Sequence, residues 1–130
     1  LYDEAVRRTR QAMEFGELKA ILWHQGEANS GDPEGYKSVL KQFVSDLRSD
    51  LGVPDVPFVC GELAHWRSSS AGFNEMIRTV SEFIPNSDCV SAEGAGMLKD
   101  ETDPHFSRDG QILLGERYAD KVLRMCYSGK

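Results

Sequence analysis

The chain has 130 residues, 40% of them hydrophobic, with 15 basic against 21 acidic side chains and a net charge of −6. A chain of this length forms one core that buries roughly two-thirds of its unfolded surface. The acidic balance provides no basic stripe for a phosphate backbone, and no apolar run approaches the ~18 residues that span a bilayer. Neither nucleic acid nor a membrane is therefore an expected partner.

The first two elements in chain order are predicted to be a helix and a strand. Residues from Asp3 to Phe15 are mostly good helix formers, and Gly16 is a natural stop. The next stretch, "LKAILWHQ", is short and apolar, which is typical of a parallel strand buried on both faces. The segment "GEANSGDPEG" then concentrates turn-forming residues and predicts a loop.

Helical spacing returns after this loop, from about Pro33 to Leu51. The predicted buried stripe of that helix consists of Tyr36, Val39, Leu40, Phe43, Leu47 and Leu51. "VPFVCGEL" predicts a second strand, and the spacing of the residues from Phe73 to Ile84 predicts another helix that ends at Pro85.

The last two elements are predicted to be the short strand "SDCVSAE" and a helix from about Ser107 to Cys126. Strands that alternate with helices predict an α/β fold, with a parallel sheet between two layers of helices. Three strands are few for such a sheet, in which ~5 or 6 are usual.

Polar side chains follow each predicted strand. The carboxyl ends of parallel strands form the crevice where ligands bind in open α/β sheets. Gln25, Gly26 and Glu27 end the first strand, where Gln25 can offer an amide donor to an oxyanion and Glu27 can orient a histidine or bind a sugar hydroxyl. The structural alternative, a hydrogen-bonded glutamine and a solvated glutamate that merely end a strand, is modestly favoured by composition alone.

Two further histidines lie in this crevice. His105 stands in a loop before the last helix among carboxylates that include Asp103, an arrangement typical of a general base, although an acidic residue near a helix start more often caps it. His65, with Trp66 and Arg67, offers a ligand site or an ordinary loop whose tryptophan folds back on the core. The histidines lack metal-ligand spacing, so no metal site is expected.

Three blocks carry a family resemblance that covers essentially the whole chain: "WHQGEAN", "PFVCGEL" and "DPHFSRDGQILLGERYA". They resemble the SGNH-type carbohydrate esterases, specifically the sialate O-acetylesterase and acetylxylan esterase group, carbohydrate esterase family six. The resemblance implies a flavodoxin-like α/β/α sandwich that removes acetyl groups from sugars with a Ser–His–Asp apparatus, without a metal or other cofactor. It also suggests a periplasmic or extracellular location.

Matched residue by residue, the resemblance implies that His105 is the catalytic histidine and that Gln25, Gly26 and Glu27 line the active site. The family usually places its aspartate three residues before the histidine, where this chain has Thr102. Asp103 is therefore the first candidate for the orienting carboxylate, and Glu27 is the alternative.

The nucleophilic serine block of the family, GDS or GQSN, is absent. The serines of "SSSAGFN" lie in the wrong place for a nucleophile. We therefore expect residues 1–130 to be a single partial domain, the C-terminal portion of an esterase domain. Its expected partners are an acetylated carbohydrate and, through an exposed sheet edge, a second copy or a missing N-terminal segment. A non-catalytic carbohydrate-binding or associating fragment is the alternative function.

Overall fold

The computed structural model describes residues 1–128, in which three strands alternate with five α-helices. The elements in chain order are α1 Tyr2–Met13, β1 Ile21–Trp23, α2 Pro33–Leu51, β2 Phe58–Gly61, α3 Ala71–Arg78, α4 Val80–Phe83, β3 Ser87–Val90 and α5 Arg108–Tyr127. Two short 3₁₀ turns lie at Glu27–Asn29 and Ser68–Ser70. Within residues 1–128, no helix combines the length and the apolar character needed to cross a membrane.

The three strands form one parallel sheet in the order β1-β2-β3. Phe58 and Cys60 of β2 face a core that α2 and α3 cover, whereas Val59 faces the opposite core beneath α5. Helix α1 packs outside α2 through Val6. These layers confirm the predicted α/β/α sandwich, because alternate residues of a buried strand need a helical layer on each side.

Sequence signals set both boundaries of α2 as expected. The Asp32 side chain caps α2 by accepting a hydrogen bond from the Gly35 N–H at 3.0 Å, and Pro33 occupies the first helical position. Gly52 ends the helix with a φ of 67°, a left-handed conformation that glycine adopts without a steric penalty. The predicted range of α2 is therefore confirmed at both ends.

The prediction that the first strand is buried on both faces is wrong. Leu22 is 55% exposed. It pairs in register with Val59 and so faces the α5 side of the sheet, but α5 packs over β2 and β3. Strand β1 thus lies at an edge of the three-stranded sheet, with one apolar side chain left in solvent.

Two helical details also differ from the prediction. Val39 belongs to the predicted buried stripe of α2 but is 70% exposed, and Val44 is buried instead. The helix expected to run as far as Ile84 breaks at Thr79, where the hydroxyl bonds the Met76 carbonyl oxygen at 2.7 Å. A threonine side chain that bonds the preceding turn competes with the helical pattern, so two shorter helices form.

Candidate active site

His105 and Asp103 form a hydrogen-bonded pair in the loop between β3 and α5. The Asp103 Oδ1 atom accepts from the His105 ring nitrogen Nδ1 at 2.5 Å and from the backbone N–H of His105 at 3.0 Å. These two bonds hold the pKa of the Asp103 carboxyl below its ordinary value. An ionised carboxylate only accepts hydrogen bonds, so Nδ1 carries a proton, and in the neutral imidazole Nε2 then has the lone pair.

The free nitrogen of this histidine faces solvent. The His105 side chain is 74% exposed, whereas that of Asp103 is 12% exposed. Within residues 1–128, the hydrogen bonds of the ring run through Nδ1, and no serine hydroxyl contacts Nε2. An imidazole held by a carboxylate on one side and open on the other has the arrangement of a general base.

The loop that carries His105 is tied to itself by backbone contacts. Met97 and Phe106 form an antiparallel bridge, and the Leu98 N–H donates to the His105 carbonyl oxygen at 2.9 Å. The Ser107 side chain caps α5 by accepting from the Gly110 N–H at 3.1 Å, as the sequence predicts. A Cβ on Gly110 would lie 2.8 Å from the Gly96 carbonyl oxygen, so the close approach of loop and helix requires glycine there.

The segment "WHQGE" ends β1 with side chains that alternate between the two faces, as the sequence predicts. On the α2 face, Tyr36 accepts from the Trp23 indole N–H at 2.9 Å, and its hydroxyl lies 2.8 Å from Gln25 Oε1. On the α5 face, His24 Nδ1 lies 3.0 Å from the Tyr118 hydroxyl. The His24 ring also meets the Phe106 ring edge-on, which joins β1 to the His105 loop.

Gln25 keeps an amide group available for a ligand. Its Oε1 is engaged by Tyr36, whereas within residues 1–128 its Nε2 has no hydrogen-bond partner, and the side chain is exposed. Gln25 and Tyr36 line a cleft of about 410 Å³. The other residues around this cleft are Trp23, Asn29, Asp32, Gly35, Val39, Leu40 and Phe43. Aromatic walls with a few polar groups at the rim are suited to a sugar ring.

Gly26 and Glu27 have local structural contacts. Gly26 has a φ of 144°, and a Cβ there would lie 2.3 Å from the Phe73 ring, so only glycine permits the sharp turn after β1. The Glu27 carboxylate accepts from the Gly26 N–H at 3.1 Å. The structure therefore joins Asp103, and not Glu27, to His105.

Glu62 ends the second strand near His65, as the sequence indicates, but its role as a buried acceptor was missed. Its side chain is 1% exposed and accepts from His65 Nε2 at 2.6 Å, from the Ser91 hydroxyl at 2.8 Å and from the Ala92 N–H at 2.8 Å, while Arg78 forms an ion pair with it. Burial by itself raises the pKa of a carboxyl, but these donors outweigh it and lower the pKa of Glu62. A glutamate directly after a buried strand, three residues before a histidine, was the available signal.

The contacts of the His65 loop are structural ones, within the fold. Glu62 holds His65, and the Trp66 ring packs beside the core under α5 and bonds the loop of His105. Of the two sequence interpretations, ligand site or folded-back tryptophan, the contacts support the second. Among residues 1–128, no cluster of three or more His, Cys, Asp or Glu side chains is placed to hold a metal ion.

Comparison with known proteins identifies relatives for nearly the whole chain. The sequence model of a family described as "Carbohydrate esterase, sialic acid-specific acetylesterase" matches residues 1–124. A probable carbohydrate esterase of Arabidopsis thaliana is 28% identical over 127 residues, which cover 95% of this chain and 47% of the plant protein. The chain thus spans about half the length of this curated relative.

Solved structures agree with the fold. The X-ray structure of the Arabidopsis protein matches with a TM-score of 0.82 and 28% identity, over 94% of this chain and 51% of that one. A carbohydrate acetylesterase from Xanthomonas citri matches with a TM-score of 0.69 and 20% identity, over 88% of this chain and 28% of that one. These likenesses confirm the predicted α/β fold of SGNH-type hydrolases.

Proposed function

The chain belongs to the carbohydrate esterase family of sialic acid-specific acetylesterases, and from this premise we propose that it carries the histidine half of a carbohydrate O-acetylesterase site. The observation that carries the proposal is the Asp103–His105 pair, with Nδ1 bound and Nε2 open to solvent at the carboxyl edge of the sheet. Acetyl esters on sugars, as in acetylated xylan or O-acetyl sialic acid, are the substrates.

His105 acts as the proton carrier in this mechanism. A serine hydroxyl attacks the acetyl carbonyl carbon while Nε2 takes its proton, and the protonated ring then gives that proton to the departing sugar oxygen. Water, activated by the same nitrogen, hydrolyses the acetyl-serine and releases acetate. Asp103 fixes the ring through Nδ1 and stabilises the positive charge that forms on it.

Gln25 serves the substrate side of the site. Its Nε2 amide can donate to the developing oxyanion or to a sugar hydroxyl, because its Oε1 is already held by Tyr36. Gly26 allows the turn that exposes this amide, and Glu27 supports the turn through the Gly26 N–H. The cleft beside Gln25 receives the sugar.

The nucleophilic serine comes on a further strand that pairs in parallel with the outer edge of β1. Three observations support this partner. Within residues 1–128, β1 has a neighbouring strand on one side only, Leu22 is exposed beside a largely apolar groove of about 510 Å³, and the chain spans half of its plant relative. An unpaired apolar strand edge is a template for another strand.

A fluorophosphonate probe tests this partner because it labels nucleophilic serines. We expect that active preparations carry the label on a serine outside these 130 residues. Label on Ser69, Ser70 or another serine of this chain would contradict the strand proposal.

Sedimentation distinguishes the competing occupant, because a second copy on the same edge gives a dimer that Leu22→Lys dissociates.

A non-catalytic carbohydrate-binding role is the second candidate. It is favoured by the absence, within residues 1–128, of a serine in contact with His105 Nε2, together with the aromatic cleft beside Gln25. Quenching of the fluorescence of Trp23 by acetylated xylan fragments or O-acetyl sialic acid, without acetate release in any preparation, would support this role over catalysis.

Acetate release from p-nitrophenyl acetate, acetylated xylan and O-acetyl sialic acid tests the esterase proposal. The decisive variant is Asp103→Asn, which keeps an oxygen for the His105 N–H groups but removes the charge. We expect its kcat to fall by about 10²-fold or more, whereas the exposed neighbour Glu101→Gln stays near the wild type. If both variants turn over equally, the pair has no catalytic role.

A further inference from the structure

Trp66 contacts the His105 loop at two points. Its indole N–H donates to the Asp103 carbonyl oxygen at 2.9 Å. The Trp66 ring also meets the Phe106 ring edge-on, with centroids 5.3 Å apart and an interplanar angle of 79°. These contacts fall on either side of His105 in the sequence, so the Trp66 side chain holds both flanks of the histidine. We call the contacts of Trp66 with Asp103 and Phe106 the clamp.

The clamp is anchored in the sheet. Trp66 follows His65, whose Nε2 is held 2.6 Å from the buried Glu62 carboxylate at the end of β2. Glu62 in turn binds Ser91 and Ala92 just after β3. The residue before Trp66 is therefore tied through Glu62 to the ends of two strands.

The geometry of the pair makes it sensitive to this clamp. One oxygen of Asp103 receives both the ring N–H and the backbone N–H of His105. A small rotation of the Asp103 backbone therefore displaces both bonds together. With the His105 side chain 74% exposed, little packing around the ring itself resists such a rotation.

We propose that Trp66 is a positioning residue that fixes the Asp103–His105 pair in its Nδ1–H form by holding the Asp103 carbonyl and the Phe106 ring. The inference goes beyond the proposed function by assigning a role to a side chain outside the reacting groups. Its consequence for catalysis rests on that function, but its structural claim does not. A histidine free in water prefers the other tautomer, with the proton on Nε2, so the tautomer of His105 reports the effect of the clamp.

Trp66→Phe tests the proposal, because phenylalanine keeps a ring against Phe106 but has no N–H. Long-range ¹H–¹⁵N spectra at an alkaline pH, where imidazole is neutral, measure the tautomer of His105. We expect the wild type to show mainly the Nδ1–H form and Trp66→Phe to show a mixture. We also expect the Leu98 amide, which bonds the His105 carbonyl oxygen, to exchange about fivefold to tenfold faster in the variant.

Trp23→Phe is the matched control for these spectra, since it also removes an indole N–H that is bonded within the fold, here to Tyr36. It should leave the His105 tautomer and the Leu98 exchange rate unchanged. Unchanged values in Trp66→Phe would overturn the proposal. If that variant fails to fold by circular dichroism, benzothienylalanine at position 66 keeps the shape of the indole without its N–H, and the same spectra decide.

The failure of the clamp and the failure of the esterase function are distinguishable. If Trp66→Phe changes the His105 tautomer but no preparation releases acetate, the clamp proposal is supported and the esterase proposal is contradicted. In an active preparation, Trp66→Phe should lower kcat about tenfold with little change in KM, because substrate binding does not use the indole. An unchanged kcat alongside an unchanged tautomer would reject the clamp alone.

Discussion

Two carboxylate–histidine pairs lie at the carboxyl edge of this sheet, and they differ in which ring nitrogen the carboxylate holds. Glu62 binds Nε2 of His65, whereas Asp103 binds Nδ1 of His105. Nε2 is the ring nitrogen farther from the backbone. In His65 this outer nitrogen is hydrogen-bonded within the fold, whereas in His105 it faces solvent.

The two carboxylates differ as well. Glu62 is buried and receives donors from four residues, among them Arg78, whose positive charge it neutralises. Within residues 1–128, the Asp103 carboxylate receives its two hydrogen bonds from His105. Because the donors to Glu62 come from separate elements, this carboxylate holds those elements together. Asp103 binds one neighbouring residue, so its main structural effect is to orient His105.

The largest expected effect separates the two histidines by activity. In an active preparation, His105→Gln should lower kcat by about 10²- to 10⁴-fold, because it removes the proton carrier. The matched variant His65→Gln keeps an amide N–H for Glu62 and should stay within a few-fold of the wild type. Acetate release from p-nitrophenyl acetate measures both. A larger loss in His65→Gln than in His105→Gln would reverse the assignment.

The second prediction separates the two carboxylates by stability. Glu62→Gln replaces a buried carboxylate by a neutral amide with fewer acceptor lone pairs, so some of the groups that donate to Glu62 lose their hydrogen-bond partner. We expect the free energy of unfolding to fall by about 2–3 kcal/mol, less than for a fully buried ion pair because the Arg78 side chain is 53% exposed. Asp103→Asn should change it little. Urea denaturation measures both, and equal losses would contradict the contrast.

The smallest expected effect concerns acid pH. The pKa values of Glu62 and Asp103 are both lowered by hydrogen bonds, so their stabilisation is present above the ordinary carboxyl pKa and is lost as the pH falls toward the folded values. Between about pH 6 and about pH 3, we expect the free energy of unfolding to fall less steeply in Glu62→Gln than in the wild type. An equal slope would show that Glu62 does not couple to stability.

Local signals in the sequence predicted much of the fold. Helical spacing and caps placed α2 at Pro33–Leu51 and Ser107 at the start of α5, because capping and turn preferences depend on neighbouring residues. The errors arose where a distant element decides burial. Leu22 looks like a buried residue in sequence and is exposed, because α5 packs over the other two strands.

The candidate site divides in the same way. In the sequence, the family resemblance pointed to His105 and the Gln25–Glu27 block, and Asp103 was the first candidate for the orienting carboxylate. The catalytic roles of these residues stay predictions. Only the tertiary structure decided that Asp103 rather than Glu27 meets the histidine, that Glu62 occupies the outer nitrogen of His65, and that Trp66 holds the loop. The Trp66–Asp103 bond joins two separate loops, so packing and not spacing along the chain creates it. The other two contacts link residues two or three positions apart, but which carboxylate and which ring nitrogen meet depends on side-chain orientation, which the surrounding packing sets.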